Sequence, residues 1–148
     1  MHATHHHITK MSCMRGARTH PLEYLALGLS TPMILAFAGA SDSVIAVSAA
    51  FGMWNGKLNH ANSPLKSMPF YDWVFANAQQ HHSHHAVARN HSDSNYGCNI
   101  ISWDRIFGTY CADTEMDALG AVFYPKDFYL QTFYPRLSIQ DFLSKTFY

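Results

Sequence analysis

The chain has 148 residues, 48% hydrophobic and 14% charged, and its formal net charge is zero. That length supports one domain with a modest core, and the neutral balance leaves no basic surface for nucleic acid. Cys13, Cys98 and Cys111 are odd in number and fit no metal or redox spacing, which predicts reduced, buried thiols instead of a disulfide framework.

Residues 1–20 are polar and basic and open with His2-x-x-His5-His6, followed by Lys10, Arg15, Arg18 and His20. On a helix, positions i, i+3 and i+4 share a face, so this cluster can aim three imidazoles at one point. No secretory signal is expected, because histidines stand where a basic region and an apolar region would have to lie. From Pro21 to about Leu58 the pattern is a helical hairpin. Leu22–Ala40 carries only Glu23 as a charge, Val44–Trp54 carries none, and Gly39–Ser43 breaks the two arms. Each arm is a little short of the ~20 residues a full membrane span needs, and Pro32 is placed to kink the first. A membrane hairpin and a soluble buried hairpin are both open on this stretch. Charge placement favours the membrane: Lys10, Arg15 and Arg18 precede the arms, Lys57 and Lys66 follow, and only Asp42 sits at the tip, so both ends face the cytosol.

Asn59–Pro64 reads as a polar turn and Phe70–Ala78 as a short amphipathic helix. That helix leads into a second cluster of the same form, His81-x-x-His84-His85. Asn90–Gly97 is loop chemistry in which Asn and Gly tolerate positive φ, and Ile100–Tyr110 predicts a helix ending at Gly108. The tail is rich in Phe and Tyr among Lys126, Arg136 and Lys145, suited to a membrane interface or to a packed cap. The expected fold is all-α: an integral-membrane helical hairpin with a cytosolic histidine-rich helical cap over residues 1–122, then an aromatic tail over 123–148.

The run His5-His6-His7 alone would pass for a surface tract or an affinity tag; its counterpart at His81–His85 argues against that. One such cluster suggests a metal ligand set and two suggest a two-metal site. Imidazole nitrogen suits iron, zinc, copper and nickel, and no cysteine quartet competes. Neither cluster carries the glutamates from which soluble di-iron bundles are built, and the lack of an adjacent carboxylate base makes hydrolysis the lesser use of the metals.

In order along the chain, His2-x-x-His5-His6, Arg18-Thr19-His20-Pro21-Leu22-Glu23, the apolar hairpin, Asn59-His60-Ala61-Asn62, His81-x-x-His84-His85, Asp93–Gly97 and Trp103–Tyr110 resemble the fatty acid hydroxylase superfamily, which includes sterol desaturases and C4-methyl sterol oxidases. The resemblance covers roughly residues 1–110. It implies a membrane-bound non-haem di-iron oxidoreductase that uses O2 to hydroxylate or desaturate a lipid C–H bond. The substrate would be a sterol, a fatty acyl chain or a carotenoid, and electrons would come from a cytochrome b5 or ferredoxin system. Carried over by position, His2, His5, His6, His20, His60, His81, His84 and His85 are the implied ligands of two iron ions, and His91 is a further candidate. His7 and His82 are unassigned neighbours. Asn95 is read as shaping a turn, and Asp104 as pairing with Arg105 or orienting a histidine N–H. The family also carries a His-x-x-x-His or His-x-x-x-x-His motif and one or two membrane helices ahead of its first His-x-x-His-His. Their absence from this sequence leads us to expect an N-terminally truncated gene product. Two readings of another class stand beside this one: a histidine-rich zinc-binding module without redox activity, and an inactive membrane remnant of the family.

Overall fold

Residues 2–63, 68–115 and 118–120 are described by a computed structural model, and within them every regular element is a helix, with two isolated bridges and no strand. The all-α expectation holds there. Lys66 and the aromatic tail lie outside the described residues.

Helix α1 is a single turn, Ala3–His6. After a 3-10 turn at Arg15–Ala17, helix α2 runs over Pro21–Phe37. Its start is well specified: the His20 ring accepts the Leu22 amide at 3.2 Å, and Pro21 occupies the first helical position, where a missing N–H costs nothing. Pro32 removes one rung, the bond to the Gly28 carbonyl, yet the helix continues through it. Gly39, at φ +78°, turns the chain as a residue with a Cβ would not. Helix α3 then occupies Asp42–Asn59, with Asp42 in its first turn and Lys57 in its last, both favourable to the helix dipole. The two long helices pack on each other, and α3 also rests on the 3-10 turn.

The helix expected over Phe70–Ala78 is two pieces. Helix α4, Pro69–Val74, stops because Phe75 becomes extended and bridges to Ile100. Helix α5, Ala78–His84, starts anew from Asn77, whose side chain accepts the Gln80 amide at 2.8 Å while the Gln80 side chain accepts the Asn77 amide at 3.1 Å. That reciprocal cap is a strong helix start, and it sets the register of the second histidine cluster. Helix α6 covers Arg89–Ser92. Helix α7 covers Ser102–Phe107 and ends on Gly108 in the left-handed conformation, as its sequence predicts.

Burial is inverted relative to a water-soluble domain. Among the described residues, fifteen polar or charged ones are buried against five hydrophobic ones, Ile8, Met11, Ala76, Ala86 and Ile101. The apolar side chains of α2 and α3, among them Leu27, Ile34, Phe37 and Val47, are exposed. Hydrogen bonds do the work of the missing apolar core. Asn55 on α3 accepts from the Tyr71 hydroxyl at 2.5 Å and donates to Asn99 at 3.2 Å, and Asn59 donates to the Cys98 carbonyl at 2.7 Å. Among the described residues no helix is long and apolar enough to cross a membrane. The cysteines are free as expected but not buried: Cys13 and Cys98 are exposed and Cys111 is half-buried. Their neighbours are loops, whose backbone needs leave no apolar niche for a thiol.

Candidate metal centre

Seven histidines converge as two adjacent groups, His5 with His60, His81 and His85, and His2 with His6 and His84. The allocation is reciprocal. The first cluster gives His5 to the four-histidine group and His2 and His6 to the other; the second gives His81 and His85 to the four-histidine group and His84 to the other. Helix geometry accounts for this. At 3.6 residues per turn, i+4 lies about 40° to one side of i and i+3 about 60° to the other, so each short helix sends its i and i+4 rings one way and its i+3 ring the other. The sequence pattern predicts one face and three rings at one point. Instead, each motif serves both groups.

Ring orientation is set from behind. His60 Nδ1–H donates to the Gly56 carbonyl at 2.7 Å, one turn back on α3. His84 Nδ1–H donates to the Ser94 carbonyl at 2.8 Å, and His5 Nδ1–H to the Arg18 carbonyl at 3.2 Å. A carbonyl only accepts, so these rings carry their proton on Nδ1 and present a bare lone pair at Nε2. The lone pairs of His5 and His60 face each other, and the Nε2 atoms of the other rings lie close by. His60 Nε2 lies 3.1 Å from His5 Nε2 and 3.1 Å from His81 Nε2, and His85 Nε2 is 3.3 Å from His81 Nε2. In the other group, His6 Nε2 is 3.0 Å from His2 Nε2.

The His5–His60 contact is the decisive one. With both Nδ1 atoms committed as donors, neither Nε2 has a proton to offer, and two lone pairs at 3.1 Å repel unless a cation lies between them. A proton is disfavoured. Burial, with the neighbouring His60 and His2, lowers the pKa of His5 to about 4, and burial with the neighbouring His84 lowers that of His6 to about 2. Burial likewise holds His60, His81, His84 and His85 below the ordinary histidine value. The rings are therefore neutral at neutral pH, the form a metal ion takes. Two nitrogens bound at about 2.0–2.1 Å to one ion stand roughly 3.0–3.4 Å apart at right-angle to tetrahedral geometry, which is the range seen here. The donor set fits a transition-metal ion in each group.

The other implied ligands sit apart. His20 caps α2, and His91 is buried with no partner at Nδ1; neither belongs to a group. His7 is buried beside Arg18, which donates to its carbonyl at 3.0 Å, and half-buried His82 turns to the Asn59 and Ala61 carbonyls. Asn95 takes φ +51°, the left-handed turn its sequence suggests. Its side chain donates to Ser83 Oγ at 3.1 Å and to the Cys111 carbonyl at 3.0 Å, and accepts the Cys111 amide at 3.0 Å. It thus ties the His81 helix to the segment after α7. The Asp104 carboxylate accepts the Tyr96 and Gly97 amides at 2.8 and 2.7 Å and the Thr109 hydroxyl at 2.6 Å, and Arg105 instead stacks on Tyr110 at 3.6 Å.

Two participants have no role assigned by the motifs, although Glu23 closes the Arg18–Glu23 run. Glu23, on α2, reaches His2. Gly16, in the 3-10 turn, lies so close that a Cβ there would stand 2.6 Å from His60 Cγ and 2.7 Å from its Nδ1. Neither has a spacing relation to the histidines that a linear reading could use. We expect Gly16→Ala to displace the His60 ring and weaken metal binding in the four-histidine group by more than tenfold, with the His2 group affected less. Metal retention after dialysis against a graded chelator series measures this, and unchanged retention would count against the contact.

The fatty acid hydroxylase family pattern matches residues 1–109. The ornithine lipid hydroxylase OlsE of Rhizobium tropici is 30% identical over 112 residues, 74% of this chain and 33% of that protein. The chain thus spans about a third of the length of that curated relative. No solved structure matches. With a family pattern over most of its length, the chain belongs to the fatty acid hydroxylase family.

Proposed function

We propose that this chain forms the metal-binding part of a membrane-bound, O2-dependent lipid hydroxylase. The observation that carries the proposal is the facing of the bare Nε2 atoms of His5 and His60 within two adjoining histidine groups, which suits a pair of iron ions held by His5, His60, His81 and His85 and by His2, His6 and His84. Bound there, the metals supply the reductive activation of O2 needed to oxidise an unactivated C–H bond. The protein's share is positional. Backbone carbonyls hold the rings of His5, His60 and His84 in one tautomer, burial keeps these rings and those of His6, His81 and His85 neutral, and the polar network of Asn55, Asn59, Asn95 and Asp104 fixes the segments that carry them. Among the described residues no carboxylate belongs to either histidine group, and proton abstraction from substrate is not assigned to a side chain.

A lipid as substrate is supported by the family and by the named activity of the relative, and hydroxylation is preferred to desaturation on the same ground. The exposed apolar sides of α2 and α3 support a hairpin set into the bilayer. Lys10, Arg15, Arg18 and Lys57 flank it and support a cytosolic site, within reach of an electron donor such as a cytochrome b5 or ferredoxin system.

The test is to express the full-length gene product with a reductase-linked electron donor under ¹⁸O2 or ¹⁶O2 and compare membrane lipids by mass spectrometry. A labelled hydroxylated lipid that disappears in His85→Ala is expected. Tightly held zinc, with no labelled product from sterol, fatty acyl, carotenoid or ornithine lipids, would replace this reading by that of a zinc-binding module, to which a closed four-histidine group is also suited.

A further inference from the structure

The rings of the two groups are not held alike. His5, His60 and His84 lean on backbone carbonyls, which no side-chain substitution removes. His2 leans on a side chain: its Nδ1 lies 2.5 Å from Glu23 Oε1. The second oxygen of that carboxylate accepts the Thr19 hydroxyl at 3.1 Å, so Glu23 is fixed at both ends. Its side chain is only 12% exposed while that of His2 is 54% exposed. His2 also stands at the start of α1 with no side-chain cap on that helix. Apart from the neighbouring rings of His5, His6 and His84, the carboxylate is the contact that determines where the His2 ring points. Glu23 projects from the first turn of α2, so this apolar helix reaches the site through the contact with His2.

From this geometry we infer that Glu23 is a positioning residue of the three-histidine group: it directs His2 Nε2 toward His6 and His84, and it adds negative charge behind a ligand set that is otherwise neutral. The inference rests on the reading of the two groups as metal sites. A carboxylate behind a ligating imidazole fixes its tautomer and raises its basicity, and loss of such a partner weakens metal binding by about 10- to 100-fold. The hydrogen bond reaches one group alone, and on the other the charge of Glu23 acts only as the least of the influences on His5. Glu23 makes no bond to His5, His60, His81 or His85 among the described residues, so the two metal positions separate in their response.

The experiment titrates the full chain in detergent with Co(II), following visible absorption to count equivalents, with circular dichroism to verify folding. The wild type is expected to take up two equivalents. In Glu23→Ala the first equivalent should bind as before and the second about 10- to 100-fold more weakly; Glu23→Gln, which can still accept from His2 Nδ1 but is uncharged, should recover part of the loss. In a His2→Ala background, Glu23→Ala should add nothing, because the carboxylate acts through that ring. A purely structural role for Glu23 would add to the His2→Ala effect and would overturn the inference, as would two equivalents at unchanged affinity in Glu23→Ala. If Glu23→Ala loses both equivalents together with its helical signal, the glutamine variant decides: loss of both equivalents there also overturns it. No Co(II) uptake by the folded wild type would instead overturn the reading of the histidine groups as metal sites.

Discussion

His81→Ala should empty the four-histidine group. The His81 ring is buried and stands between two others, with its Nε2 3.1 Å from that of His60 and 3.3 Å from that of His85. Removing it deletes a ligand and opens a void between the rings that remain. A lost orienting partner costs about 10- to 100-fold in affinity; loss of the ligand itself should exceed that range and abolish lipid hydroxylation. His82→Ala, one residue along the same helix, is the matched control. Its ring faces the Asn59 and Ala61 carbonyls and should leave metal content nearly unchanged. Metal analysis of both variants after identical purification is the measurement, and equal retention by the two would refute the ligand assignment.

Asp104→Ala should produce the largest loss of stability from a residue that touches no candidate ligand ring. Its carboxylate is buried and accepts from two backbone amides and a hydroxyl. Alanine strands all three donors, each at a cost of about 1–3 kcal/mol when buried, so a total on the order of 3 kcal/mol or more is expected. At roughly 3 °C per kcal/mol for a chain of this size, the unfolding midpoint in detergent should fall by about 10 °C. Asp104→Asn should lose less, because its amide oxygen can still accept from one of the three while its NH2 opposes another. A midpoint within a degree or two of wild type for Asp104→Ala would show that these donors find other partners. Gly97 is part of the same arrangement: a Cβ on it would stand 2.4 Å from the Ile100 carbonyl oxygen and 2.7 Å from Asp104 Oδ2, so the turn closes on the carboxylate only with glycine there.

What the sequence made legible was local. The two histidine motifs, the left-handed Gly108, the positive φ of Asn95 and the two arms of the hairpin all follow from short-range rules: helix periodicity, the tolerance of Gly and Asn for left-handed backbone, and the apolar runs on either side of Gly39. The misses are long-range. The break at Phe75 depends on pairing with Ile100, and no property of Phe70–Ala78 by itself announces it. Asp104 sits between Trp103 and Arg105, which made an ion pair one obvious expectation; the amides of Tyr96 and Gly97 are its partners instead, at 2.8 and 2.7 Å. The sorting of the seven rings into groups of four and three required knowing how the α1 and α5 ends face each other. Gly16 and Glu23 matter only through rings 44 and 21 residues away, and composition carries no trace of either distance.

Helix α1 is a single turn of four residues without a side-chain cap, far below the ~12–15 residues at which an isolated helix becomes even marginal in water. Ile8 and Met11 anchor the segment that follows it, but the turn itself is held by rings that repel one another until a cation joins them. On the proposed metal-site reading, ordering of this stretch and occupation of the two groups would be one equilibrium. Free ion would then set the fraction of chains in which residues 2–6 are structured, and a chelator would act on that turn as a local denaturant.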